Sequence, residues 1–191
     1  VHQGYHLVES IALAERPGTW HTQPDAGPQH MDWNPHAVVP RMSTAVIAHE
    51  QGVEAARWLL ERLENGSLDR RLLLMEWIRL LLERKSLIDP LGLKEILLRR
   101  ALDSEGEVAN KVTLCLAKSI EADRDFGYQL AQRLHGRDET LVQRAMADVL
   151  TRLFRRLGWD ALPFLDDMLT SPDEGVLAAA SATVGDVNYL D

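Results

Sequence analysis

The residues best equipped for chemistry stand at the start of the chain. In "HQGYHLVE", His2, His6 and Glu9 fall at i, i+4 and i+7. On a helix that spacing puts two imidazoles and a carboxylate on one face. Such a donor set suits Zn²⁺ or Fe²⁺. A second group follows in "WHTQPDAGPQHMDWNPH", residues 20–36, which holds His21, His30, His36, Asp25 and Asp32. If the chain folds back on itself, His30 joins His2, His6 and Glu9 as a ligand. The opposing reading needs no metal. His2 lies near the first residue, where helices fray and side chains are solvated, and His6 is then an ordinary helix residue.

Elsewhere the sequence offers little catalytic equipment. His49-Glu50 resembles the opening of a zincin motif, but no second histidine follows at i+4. We find no glycine-rich phosphate loop and no serine nucleophile elbow. Cys115 is the lone cysteine, so no disulfide joins two parts of this sequence. It sits inside an apolar helical pattern and reads as an inert buried thiol in a reducing cytoplasm. These features point to a non-catalytic protein-interaction scaffold that uses no cofactor. A metal-binding protein or metalloenzyme using Zn or Fe is the alternative.

Charge narrows the partner. The net charge is −8. Residues 158–191 contain Asp160, Asp166, Asp167, Asp173, Glu174, Asp186 and Asp191 with no Lys or Arg, leaving −1 for the rest. An acidic end repels phosphate backbones. Three basic groups (Arg70, Arg71, Arg79, Arg84 and Lys85; Arg99 and Arg100; Arg152, Arg155 and Arg156) keep nucleic acid as a second alternative. Each has acids close by in sequence. The expected partner is a protein or peptide, met at Asp166, Asp167 and Asp173 and by the tryptophans Trp20 and Trp33. No apolar run is long enough to cross a bilayer, and no basic-then-apolar secretory pattern opens the sequence. Val1 suits either removal of an initiator Met or a piece of a longer chain.

These residues must be positioned by helices. Residues 1–16 read as an amphipathic helix, with Leu7, Ile11 and Ala14 on one face. Residues 17–40 carry five prolines and two glycines and read as a long strap loop. Its tryptophans are expected to pack on the neighbouring helices rather than stay in water. From residue 41 to 191 helix follows helix. The spacing predicts them near 41–50, 52–64, 68–85, 91–102, 107–121, 125–134, 139–156, 160–169 and 173–185.

The helices repeat. "ILLRRALDSEGEVANKVTLCLA", "QLAQRLHGRDETLVQRAMADVL" and "PFLDDMLTSPDEGVLAAASATV" each show an apolar helix end, a polar turn and a second apolar helix. "RWLLERLENGSLDRRLLLMEWI" fits with a gap in its turn. Ala101, Leu134 and Leu169 align before the turn, then Val108, Leu141 and Val176, then Val112, Ala145 and Ala180. Ser171 and Asp138 are the expected helix caps. A period near 34 marks stacked helix pairs sharing one core. "LTSPDEGVLAAASATVG" resembles a HEAT-type repeat, over roughly residues 52–187. The family's usual Arg after the turn Val is missing, since Leu177 and Ala109 stand there. The resemblance implies an all-α, right-handed α-solenoid of about four helix pairs that binds other macromolecules. The predicted core is Trp58, Leu59, Leu63, Leu72, Trp77, Leu97, Val112, Leu116, Leu130, Leu134, Val149, Leu153, Phe164, Leu165 and Leu169.

Overall fold

The structure is a computed structural model that describes residues 52–187. The N-terminal helix, the strap and the first helix expected at 41–50 lie outside the described residues. Among the described residues there is no strand. The chain divides into two compact units, one ending at Leu93 and one beginning at Lys94.

The first unit contains α1 (Gly52–Glu64), α2 (Leu68–Leu81) and the short α3 (Lys85–Ile88). On α1, Ala56, Leu59, Leu60 and Leu63 are buried at the i, i+3, i+4, i+7 period. Trp58 stands on the other side of that stripe. It is 42% exposed, contrary to its predicted place in the core, and the Arg62 guanidinium lies over its ring at 5.0 Å. One helical turn separates Trp58 from Arg62, which is why the pair meets. The long helix predicted over 68–85 stops at Leu81. Beyond it Glu83 and Arg84 donate to Leu80 and Leu81, three residues back, and the chain leaves the helix. Arg57 ties α1 to the end of this unit by donating to the Pro90 carbonyl at 2.6 Å.

The second unit carries the clearer repeat. Its helices are α4 (Leu93–Arg100), α5 (Gly106–Thr113), α6 (Leu116–Ala122), α7 (Arg124–His135), α8 (Thr140–Leu157), α9 (Leu162–Leu169) and α10 (Glu174–Val187). A 3₁₀ turn, Gly158–Ala161, leads into α9. The helix predicted over 107–121 is broken in two. Leu114 and Cys115 donate to carbonyls three residues back, and Thr113 Oγ1 donates to the Asn110 carbonyl at 2.6 Å. That side-chain bond competes with the helix ladder and bends the chain. The repeat therefore has a short lead-in before each pair: α6 before α7 and α8, and the 3₁₀ turn before α9 and α10.

The burial pattern corrects the repeat register. Val108, Val142 and Val176 are buried at a constant spacing of 34 residues, and so are Val112, Met146 and Ala180. Leu141 is 47% exposed and Ala145 half-buried, contrary to the alignment read from sequence. From the buried Leu134 and Met168 the next buried valine stands eight residues on, one more than that alignment allowed. Before the turns, Leu134 and Met168 are the buried anchors, and Leu169 is half-buried. Leu72 and Val149 are half-buried too. The other predicted core residues are buried. Helix α8 lies at the centre and packs on α5, α6, α7, α9 and α10.

Candidate binding site at the acidic end

Two successive turns of the second unit face each other across a groove of about 450 Å³. One wall is the α7–α8 turn with His135, Asp138 and Gln143, the other the α9–α10 turn with Ser171 and Asp173, and Asp167 and the buried Met168 complete the lining. Local chemistry fixes both turns. Asp173, not Ser171, caps α10: its Oδ1 accepts from the Gly175 and Val176 amides, each at 3.0 Å. Ser171 Oγ accepts from the Asp173 amide at 3.2 Å, one step earlier in the same turn. Asp138 does not cap α8. Glu139 occupies that position and turns its carboxylate to Arg137 instead. Gln143 closes the turn by donating to the His135 and Arg137 carbonyls.

Several charged groups at and around the groove are paired. Arg144 forms a fork on Asp173, with its closest contact at 2.9 Å. This hydrogen-bonded ion pair, with the two amides, holds the Asp173 carboxyl below the usual carboxylate range. Arg137 does the same for Glu139. Asp167 is 73% exposed at its side chain and meets His135 Nε2 at 2.9 Å. A carboxylate only accepts, so Nε2 carries the proton. His135 Nδ1 is buried without a partner, and the ring stands edge-on to Phe164 at 5.2 Å.

Asp166 is exposed and makes no ion pair among the described residues. Asp166 and Asp167 lie in the C-terminal half of α9, which has no basic residue in its last turn. That end of a helix favours cations, so both carboxylates sit against the local dipole. Asp167 has His135 beside it, whereas Asp166 has no such remedy among the described residues, and breaches of a local rule of this kind cluster at functional sites.

The sequence placed Asp166, Asp167 and Asp173 together, and the structure brings Asp167 and Asp173 into one groove. The metal candidates His2, His6, Glu9 and His30, and the proposed partner contacts Trp20 and Trp33, lie outside the described residues. Among the described residues no group of three or more His, Cys, Asp or Glu side chains is set to hold a metal ion. The arginine groups are drawn partly into internal contacts. Arg71 donates to Gly66, Arg79 meets Glu76, Arg100 meets Asp103 and Arg156 meets Glu121. No helix among the described residues is long and apolar enough to cross a membrane.

A designed armadillo repeat protein, solved in complex with the peptide (KR)4, is similar to this chain. The identity is 14%, 98% of this chain and 92% of that one are covered, and the TM-score is 0.51. The fold is an all-α helical-repeat solenoid. Two engineered proteins of known structure are also similar, at 16% and 17% identity. They cover 97% and 98% of this chain and 89% and 92% of their own, with TM-scores of 0.49 and 0.48. No protein-family model matches the chain, and no curated protein matches it. The HEAT-like expectation thus named the right class, since HEAT and armadillo arrays are both α-solenoids.

Sequence reasoning missed His135 and Trp159. His135 carries no motif, because its partner Asp167 lies 32 residues away. Trp159 did carry a signal. It follows Gly158, whose positive φ of 61°, which favours glycine, ends α8. A residue just past such a stop lies in a connection and not on an apolar stripe.

Proposed function

We propose that the solenoid is an interaction module that takes a basic peptide segment at its acidic end. One observation carries the reading: residues 158–191 hold seven acids and no Lys or Arg, with Asp166 and Asp167 exposed on the described surface. Stacked helical repeats present extended surfaces suited to peptides. The similar designed armadillo protein was solved with (KR)4, which lends support to a basic ligand. In this reading the module is non-catalytic, acts without a cofactor and works in the cytoplasm.

The test is titration of the whole protein with a labelled (KR)4 peptide, followed by fluorescence anisotropy at low and at high salt. Binding at low salt that weakens with added salt is the expected result, because exposed charges are screened. The D166N/D167N double variant should weaken it at least about threefold and slow association. No binding at low salt, or binding indifferent to the double variant, overturns the reading.

A further inference from the structure

The outer face of α9 has two parts. Trp159 on the 3₁₀ turn is 68% exposed, and Leu162, three residues on, is 38% exposed. Pro163 beside it is exposed as well. One turn further come Asp166 and Asp167. In a 3₁₀ turn residues i and i+3 eclipse, and in an α-helix residues three and four apart share a face. Trp159, Leu162 and Asp166 therefore form one stripe. Over these residues it is roughly 11–13 Å long, taking the rises of the two helix types. It is apolar where it begins and anionic where it ends.

The turn that carries Trp159 is held in place. Arg124 donates to the Leu157 carbonyl at 2.9 Å and to Asp160 at 2.5 Å, gripping the chain on both sides of the tryptophan. Below it Ala161, Phe164 and Leu165 are buried. A fixed, exposed indole loses little conformational entropy when covered, and tryptophan is the residue most enriched at binding hot spots.

We propose that this stripe docks a basic segment that carries an apolar anchor, the anchor on Trp159 and Leu162 and the Lys or Arg side chains on Asp166, with Asp167 beside it. The proposal rests on the basic-partner reading above and adds the apolar requirement and the place. Charge complementarity selects this occupant over others. A wholly apolar partner would desolvate the Asp166 carboxylate, for which no described residue supplies a pair. A second copy of the same face would bring like charges together, since no Lys or Arg lies between residues 158 and 191. A cation set against Asp166 and Asp167 would also relieve their conflict with the α9 dipole.

The test compares (KR)4 with a peptide in which Trp and Leu precede the same Lys/Arg block by one helical turn. Both are titrated at low salt against the whole protein. The anchored peptide should bind about tenfold more tightly, the size of effect that a well-buried aromatic anchor supplies. W159A and L162A should bring the two peptides to the same affinity, and D166N/D167N should weaken the anchored one. Both apolar side chains are exposed, and unchanged thermal unfolding will show that the variants fold. If (KR)4 binds and the anchor adds nothing, this proposal fails while the basic-partner reading stands. A gain that survives W159A and L162A also overturns it. A concentration-dependent dimer that W159A abolishes in sedimentation would give the stripe to a second copy, again overturning it. If neither peptide binds at low salt, both readings fall.

Discussion

The pair α7–α8 and the pair α9–α10 share a fold and differ in how they use their surface. In the first, charges follow the helix dipoles. Asp123 caps α7, accepting from Phe126 N at 3.1 Å, and Arg133 and His135 occupy its last turn. Arg155 and Arg156 close α8. Arg133 reaches back to the Leu98 carbonyl at 3.0 Å. In the second pair neither α9 nor α10 has a base in its last turn. Trp159, Leu162, Leu177 and Val184 are exposed large apolar groups. The first pair ties most of its charged groups to internal partners, although it too exposes Leu141. The second leaves charge and apolar area facing outward, which is the pattern of a surface completed by something else.

The largest test of that contrast lies in the buried anchors. Leu134 is fully buried, so Leu134→Ala should cost about 2–5 kcal/mol in urea unfolding. Leu169 was aligned with it by sequence but is half-buried. Leu169→Ala should cost about 1 kcal/mol, the ordinary scale for a point change. Equal losses at the two sites would restore the uncorrected register.

The glycines sharpen the comparison at the next scale down. A Cβ on Gly127 of α7 would lie 2.4 Å from Ile120 Cγ1, and 2.6 and 2.7 Å from Ile120 Cα and N. Backbone cannot step aside as a flexible side chain does. Gly127→Ala should therefore lose about 1–3 kcal/mol, the overpacking range, despite alanine's better helix propensity. At Gly185 of α10 an added Cβ meets nothing within 4 Å. There propensity decides, and Gly185→Ala should gain roughly 0.5–1 kcal/mol. Opposite signs in denaturant midpoints are the expected outcome, and like signs would mean that the two helices are packed alike.

Much of this was legible in the chain. Apolar period and polar turns gave the helices, because both signals are local. The acids of the last repeat were visible as simple composition. What escaped depended on distance or on a single residue of register. Val142 and Leu141 are adjacent and both apolar, so only packing tells which one is buried. Trp58 and Leu59 pose the same choice, and bulk alone misled. Asp173 and Ser171 are both good caps by type, and the geometry of one turn chose between them. Pairs such as His135 with Asp167, or Arg144 with Asp173, join residues about one repeat apart, which no local pattern encodes.

The smallest expected effect sets one aspartate against another. Asp123 accepts from Lys94 Nζ at 2.8 Å, and that bond, with the Phe126 amide, holds its carboxyl below the usual range. A carboxylate whose folded pKa is depressed adds stability that is fully present above its unfolded pKa and is lost as pH falls through the folded value. Asp123 and Asp173 should thus make unfolding easier from about pH 4 downward, where ordinary carboxylates begin to protonate. Asn remains a good N-cap, so Asp123→Asn removes chiefly the Lys94 pair. On a partly exposed surface that is worth roughly 0.2–1 kcal/mol. The variant should be slightly less stable than wild type at pH 7 and should lose less than wild type between pH 7 and pH 3. Asp166→Asn makes the same chemical change on α9, where no described residue holds the carboxylate and the helix dipole opposes it. It should leave stability at pH 7 unchanged or raise it by roughly 0.3–1 kcal/mol, while weakening the binding of a basic peptide. Urea midpoints of the two variants at pH 7 and pH 3 check both signs. A loss at pH 7 on replacing Asp166 would mean that this acid supports the fold, and the contrast between the two pairs would not extend to α9.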